Sequence, residues 1–314
     1  MNQPLLIVAG PTASGKSALA LALAEEFGGT LINADSMQVY RDLAVLTARP
    51  GPDEEARVPH RLYGVIDGAE NFSAGRWRAL AAAEVAAARA AGRVPILVGG
   101  SGLYLHAFVH GLAALPAIAS EVREEARALY AKLGGEAFRA LLLERDPHAA
   151  RLAASDVQRL LRAYEVVTAT GRSLTDWQHR DPERPAEAIS AIVLLPPRGA
   201  LYAACDARFL AMVGRGAEAE VEALLARGLD PELPVMKAVG VREIAAWRAG
   251  RLSRAEMVAA AQQATRRYAK RQYTWLRHRL QEGGGMRRLT IAAQFSESLL
   301  PEIFAFIRLK LLTG

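Results

Sequence analysis

Near the N-terminus the hydrophobic positions come as short continuous runs, residues 5–9, 30–34 and 94–98, each bounded by polar or glycine-rich turns. A continuous apolar run of this length is how a strand buried on both faces reads. Between the runs lie alanine- and leucine-rich stretches of helical period, over about residues 16–27 and 74–91. Strands alternating with helices predict an α/β fold, with a parallel sheet flanked by helices on both faces. In such sheets ligands gather at the carboxyl ends of the strands. The loop after the first run, Asp35 after the second and Gly99-Gly100-Ser101 after the third all fall there.

From about residue 113 the strand signal stops. Apolar residues recur at helical spacing, in Val122, Ala126, Leu129 and Leu133, then in Leu160, Leu161, Tyr164 and Val167. Asp156 is placed to cap the second of these helices, and Gly171 to end it. Residues 191–195 read as a strand returning to the sheet. The pattern therefore predicts an α/β core of residues 1–112 and 190–314, interrupted by a mostly helical insertion domain, 113–189. Asp181-Pro182-Glu183-Arg184-Pro185 is the expected hinge or linker. Further helices are expected near 201–227, 240–249 and 253–279. Gly283-Gly284-Gly285 then sets off a C-terminal piece that the pattern leaves open.

Composition narrows the setting. The 314 residues carry a net charge of +6. That fits either an anionic partner or a generally basic surface. The single cysteine, Cys205, excludes an internal disulfide and a cysteine-rich metal site. No apolar stretch approaches the roughly 20 residues that cross a bilayer, and the N-terminus lacks a secretory pattern. The expectation is a cytoplasmic protein with no membrane partner.

The strongest chemical signal is Gly10-Pro11-Thr12-Ala13-Ser14-Gly15-Lys16-Ser17, between the first strand and its helix. In such a loop successive backbone N–H groups and the helix N-terminus form a concave anion site. Lys16 adds a cation for terminal phosphate oxygens, and Ser17 can bind Mg²⁺. The spacing announces a polyphosphate, not necessarily a nucleotide. Common P-loop NTPases hold their metal with an aspartate on a later strand. Here the 94–98 run ends in two glycines and Ser101, and the nearest acid is Asp35. That arrangement suits a small-molecule kinase or related group-transfer enzyme, in which an acid accepts a proton from the nucleophile. A turn or N-cap role for Asp35 fits the residues equally well.

Further stretches extend the comparison: Asn33-Ala34-Asp35-Ser36-Met37-Gln38-Val39-Tyr40, Pro95-Ile96-Leu97-Val98-Gly99-Gly100-Ser101-Gly102-Leu103-Tyr104, Asp156-Val157-Gln158-Arg159-Leu160-Leu161-Arg162-Ala163-Tyr164-Glu165-Val166, and Lys270-Arg271-Gln272-Tyr273-Thr274-Trp275-Leu276-Arg277. With the P-loop, and in this order, they resemble the tRNA dimethylallyltransferase family over most of the chain. The resemblance implies transfer of a dimethylallyl group from dimethylallyl diphosphate to N6 of the adenosine 3′ to the anticodon. The tRNAs implied are those reading codons that begin with U, and the product is N6-dimethylallyladenosine. By the same resemblance Asp35 is the general base, and residues 10–17 with Arg208 hold the diphosphate with Mg²⁺ on Ser17. Asp35, Ser36, Met37 and Gln38 line the pocket of a base taken out of its stack. Ser101 stands where the family usually has threonine and keeps the hydroxyl; it is implied in catalysis and tRNA contact.

Arg123, Gln158, Arg159, Leu160, Leu161 and Arg162 in the insertion match tRNA-contacting positions, as do Lys237, Gly240, Arg242, Lys270, Arg271 and Arg277. Two departures stand out: Val241 replaces the usual aromatic, and Ala204 an arginine common in the family. Lysines and arginines interleaved with Tyr268, Tyr273 and Trp275 suit a phosphate backbone with unpaired bases. Trp275 itself fits a core position better. The expected partners are tRNA and dimethylallyl diphosphate, with the protein acting as a monomer. A small-molecule kinase or adenylate prenyltransferase would share the P-loop core but would not need the insertion or the basic segments. A non-catalytic RNA-binding protein would not need Lys16, Ser17, Asp35 and Arg208 together.

Overall fold

A computed structural model describes residues 4–113, 115–116, 118–178, 189–281 and 286–312. Its strands are β1 (Leu5–Ala9), β2 (Gly29–Asn33), β3 (His60–Arg61), β4 (Val94–Gly99), β5 (Ile189–Leu194) and β6 (Met286–Ile291). Among the described residues the helices are α1 (Lys16–Phe27), α2 (Pro52–Arg57), α3 (Ala74–Ala90), α4 (Gly102–His110), α5 (Ser120–Leu143) and α6 (Val157–Thr170). They continue with α7 (Leu174–Gln178), α8 (Arg198–Gly214), α9 (Ala217–Ala226), α10 (Val241–Arg248), α11 (Arg254–Arg279) and α12 (Leu300–Leu312).

The strands form one sheet in the order β3-β2-β4-β1-β5-β6, and every pairing is parallel. The continuous apolar runs have their cause here. Alternate side chains of a strand face opposite ways, and both faces are covered. Leu5, Ile7 and Ala9 join a core with Trp77, Leu105, Phe209 and Ile244 on one side. Leu6 and Val8 join Leu19, Leu23, Ile303 and Ile307 on the other. The α/β parallel-sheet expectation holds.

Three features differ from the sequence reading. The expected helix over 201–227 is two, α8 and α9, because Gly216 takes a left-handed φ of 97° that breaks the ladder. The piece after the glycine run forms edge strand β6, paired with β5, and α12. Its polar Met286-Arg287-Arg288-Leu289-Thr290-Ile291 sequence hid the strand, since an edge needs burial only in part. The two-residue β3 is too short to show a period. The glycine run itself, and the expected linker over 181–185, lie outside the described residues.

Contacts divide the chain into two units, Met1–Val109 with Ala186–Gly314, and His110–Pro185. The second unit is helical among its described residues. Its core gathers Ala126, Phe138, Leu142, Leu160, Ala163 and Tyr164. Within α5, Gly134 adopts a non-helical φ of 73° that kinks the helix. The stripe expected through Leu133 is therefore abandoned, and Leu133 is exposed. Asp156 caps α6 by accepting from Arg159 N–H at 3.4 Å, and Gly171 ends it at φ 66°.

Candidate active site

The carboxyl ends of β1, β2 and β4 deliver their loops to one place in the first unit. β1 runs into the P-loop, where Ala13 and Gly15 take left-handed φ values of 63° and 88° before α1 begins at Lys16. Gly10 is required by packing, since a Cβ there would lie 2.4 Å from Ser14 Oγ. Ser14 Oγ is buried without a hydrogen-bond partner among the described residues, a polar group left over inside an anion-type loop. The loop is braced from outside by the C-terminal piece. The Gln294 amide donates to the Ala13 carbonyl, and Phe295 N–H donates to the Ser14 carbonyl at 3.3 Å.

Lys16 is only 7% exposed. Burial lowers its ammonium pKa to about 8; the charge of Asp35 opposes this shift and that of Arg208 adds to it. Arg208, on α8, is half-buried. Burial also pulls its pKa below the ordinary arginine value, while Asp35 and Cys205 oppose that shift. Cys205 is buried, with its thiol pushed up to about 11 chiefly by burial. Two cations and one carboxylate therefore share a largely desolvated space.

Asp35 follows β2 and is held by its neighbours. The buried Asn33 side chain accepts from Asp35 N–H at 2.8 Å and donates to the Asp35 carbonyl at 3.0 Å. It also donates to the Leu62 carbonyl at 3.1 Å. Asp35 Oδ1 accepts from Met37 N–H at 2.9 Å, and Oδ2 has no such bond among the described residues. One carboxylate oxygen thus orients the group and the other is left for chemistry.

β4 is pressed against this turn, because a Cβ on Gly99 would lie 2.1 Å from the Ala34 carbonyl oxygen. Ser101 Oγ accepts from Ser36 N–H at 2.8 Å and donates to Ser36 Oγ at 3.1 Å. The Tyr268 hydroxyl has its pKa raised mainly by burial and next by the charge of Asp35, with Ser101 opposing the shift.

Between these loops, α8 and α11 lies a cavity lined by Thr12, Lys16, Ser17, Asp35, Ser36, Met37, Gln38 and Arg208. Leu46, Phe209, Met212 and Val239 add apolar surface, and Lys237, Tyr268 and Arg271 complete much of the wall. Of the residues singled out from sequence, it brings together the P-loop cation and hydroxyl, Asp35 to Gln38, Arg208, Lys237 and Arg271. Lys237 also pairs with Glu232 at 2.7 Å. Gly240, at φ 101°, opens α10, Arg242 is exposed, and Val241 is buried in the core.

Lys270 and Arg277 are exposed along α11. A groove there is lined by Arg267, Lys270, Arg271, Thr274, Trp275, His278 and Arg279. Trp275 packs partly into the core, with its ring against Gly102, where a Cβ would meet it at 2.4 Å.

In the helical unit, Arg123, Gln158 and Arg159 are exposed. Arg159 pairs with Asp156 and Arg162 with Glu165. Leu160 is fully buried in that unit's core and Leu161 packs against it. Of the α6 positions matched to tRNA contact it is therefore Gln158 and Arg159 that are exposed.

Sequence reasoning overlooked Gln272, whose Oε1 accepts from Thr12 N–H at 2.8 Å while its Nε2 donates to the Gly100 carbonyl at 3.1 Å. Its amide ties the P-loop to the end of β4. It also missed Tyr268 and Thr47 as cavity residues. No local signal marks these contacts, since each depends on chain segments far apart in sequence.

The described residues contain no cluster of three or more His, Cys, Asp or Glu that could hold a metal. An Mg²⁺ ion does not need one, for it commonly takes one or two protein oxygens and completes its shell with phosphate and water. Ser17 in the cavity fits that mode.

Residues 38–279 match the IPP transferase family. A tRNA dimethylallyltransferase from Rhodospirillum rubrum is 57% identical over 316 residues, spanning 100% of this chain and 97% of the relative. Another, from Rhodopseudomonas palustris, is 58% identical over 281 residues, 88% of this chain and 89% of that one. The crystal structure of a full-length tRNA isopentenylpyrophosphate transferase from Bacillus halodurans matches with a TM-score of 0.70 at 31% identity. It covers 98% of this chain and 97% of its own. A eukaryotic dimethylallyltransferase described as acting on tRNA shares the fold at TM-score 0.80 and 23% identity, covering 98% of this chain and 80% of that one. With agreement in sequence over most of the chain and in fold over nearly all of it, the chain belongs to the IPP transferase family.

Proposed function

We propose that this chain transfers a dimethylallyl group from dimethylallyl diphosphate to N6 of the adenosine 3′ to the anticodon, in tRNAs reading codons that begin with U. One observation carries the reading. Lys16 and Arg208 share a cavity with Asp35, and Asp35 keeps one carboxylate oxygen uncommitted. Two cations suit a diphosphate that gains charge as it leaves. A free carboxylate oxygen suits a nucleophile that must lose a proton.

The adenine amine is a weak nucleophile because its lone pair is delocalised into the ring. Asp35 Oδ2 would accept a proton from N6 as the bond from N6 to the prenyl C1 forms and the C1–O bond to diphosphate breaks. Asn33 and Met37 N–H keep that carboxylate aimed. The P-loop amides, Lys16 and Arg208 would take up the charge on the departing oxygens. Ser17 would hold Mg²⁺, which when bound adds further charge neutralisation at the diphosphate. Leu46, Phe209 and Met212 offer apolar surface suited to a five-carbon chain.

The exposed cations of α11 and the Gln158–Arg159 face of α6 would bind tRNA. The family relationship to tRNA-modifying enzymes supports work in the cytoplasm, where tRNA is found, and the proposed working form is a monomer.

The test is transfer of labelled dimethylallyl diphosphate, with Mg²⁺, to an unmodified tRNA bearing adenosines 3′ to its anticodon. Label is expected in the tRNA at that adenosine. Transfer to free AMP alone would overturn the tRNA assignment in favour of an adenylate prenyltransferase.

A further inference from the structure

Residues 44–48 cross the cavity wall as a loop without regular structure, yet their backbone is tightly held. The carboxylate of Glu220, on α9, accepts from Ala44 N–H at 2.5 Å and Val45 N–H at 2.8 Å through Oε1. Its Oε2 accepts from Leu46 N–H at 2.8 Å. Three successive N–H groups converging on one point form an anion nest, filled here by the chain's own carboxylate. The turn is closed from the other side by Thr47 Oγ1, which donates to the Leu43 carbonyl at 2.7 Å.

What the clamp immobilises bears on the cavity. The Thr47 carbonyl accepts from Arg208 Nη2 at 3.1 Å and from Gln38 Nε2 at 3.0 Å. The second Gln38 Nε2 proton goes to the Ala48 carbonyl, also at 3.0 Å. Ala48 itself sits at a left-handed φ of 49°, a conformation that a loose loop would abandon. With both amide protons spent, Gln38 has only its oxygen left to present, as an acceptor. A single backbone carbonyl thereby fixes one corner of the arginine guanidinium and the donor–acceptor sense of the glutamine.

We propose that Glu220 is a positioning residue of this site. By pinning the backbone of residues 44–46 it fixes the Thr47 carbonyl, which aims Arg208 at the diphosphate and turns Gln38 oxygen-first toward the base. The inference rests on the reading of Arg208 and Gln38 given above. Glu220 touches neither substrate, and it lies outside every motif of the sequence.

The experiment is a double-mutant cycle on the full chain, reading the Kd for inorganic pyrophosphate by calorimetry without tRNA. Glu220→Gln removes the charge and replaces one acceptor oxygen with a donor facing the nest. In the wild-type background it is expected to raise the pyrophosphate Kd about ten-fold. In an Arg208→Lys background it is expected to change Kd by less than about two-fold, because a single ammonium cannot serve the Thr47 carbonyl and a diphosphate together. A residue that merely stabilised the fold would give the same fold-change in both backgrounds. Equal losses, or an unchanged Kd in the single variant, overturn the proposal. If Glu220→Gln does not fold, Glu220→Asp, charged but too short to span the nest, goes through the same cycle with the same expected pattern. Because tRNA is absent, the result stands apart from whether the chain prenylates tRNA.

Discussion

At Lys16 two demands conflict. A cation at the phosphate loop is needed as a cation, yet the site that excludes water around it disfavours its charge. Burial wins part of the contest and brings the pKa to about 8, with Asp35 pulling the other way. The ammonium is thus mostly charged at neutral pH and loses its proton in the mildly alkaline range. The kcat/KM for dimethylallyl diphosphate, which reports the free enzyme, is expected to fall with a slope near −1 above about pH 8. An alkaline limb appearing only near pH 10 would return Lys16 to an ordinary lysine value. The sign for stability is opposite. The folded pKa lies below the unfolded value of 10.5, so this residue costs stability at neutral pH and the cost is relieved as pH rises from about 8 to 10.5. At Asp35 the expectation is simpler. Asp35→Asn keeps an oxygen for Met37 N–H but cannot accept the N6 proton. It should lower kcat by about 10²–10⁴-fold while leaving the tRNA Kd near wild type in a filter-binding assay. A near-normal kcat would remove Asp35 as base.

At the scale of elements, the site depends on how α11 meets the strand ends. Gln272 is nearly buried at 5% exposure, and its amide satisfies a P-loop N–H and a β4-end carbonyl at once. Gln272→Leu fills similar space but strands both partners. It should lower unfolding stability by about 1–3 kcal/mol and raise KM for dimethylallyl diphosphate more than it lowers kcat. A changed kcat with unaltered KM would place Gln272 elsewhere in the reaction. This contact also marks the limit of what the residues disclose by themselves. The P-loop, Asp35 and Ser101 are legible because strand, turn and glycine lie within a few positions of one another. The Thr12–Gln272 bond spans 260 positions, and Glu220 reaches its loop across 176; neither leaves a periodic trace. Thr47 is harder still, since it acts through a backbone carbonyl that every residue type possesses. Likewise β6 hid in a charged edge, and Gly216 split a helix whose apolar period runs on past it.

For the whole molecule, the net charge of +6 predicts little until paired cations are separated from free ones. Arg266 Nη1 donates to both carboxylate oxygens of Asp206, and Arg159 and Arg162 have carboxylate partners within α6 or at its cap. Such cations arrive at a phosphate already partly neutralised. Arg267, Lys270, Arg277 and Arg279 are exposed on α11 and make no ion pair among the described residues. Binding of tRNA at these residues should release condensed counterions, so log Kd should rise linearly with log salt. Each of these cations that meets a phosphate contributes a slope of about 0.7–0.9. Lys270→Ala and Arg277→Ala are each expected to remove about one such increment from the slope. Arg266→Ala should leave the slope nearly unchanged, because Asp206 already answers that charge. Titrations of tRNA between about 50 and 200 mM salt cover the range where the effect is large. Equal slope losses from all three variants would show that net charge alone governs the affinity. A flat salt dependence would remove α11 as the RNA-binding face.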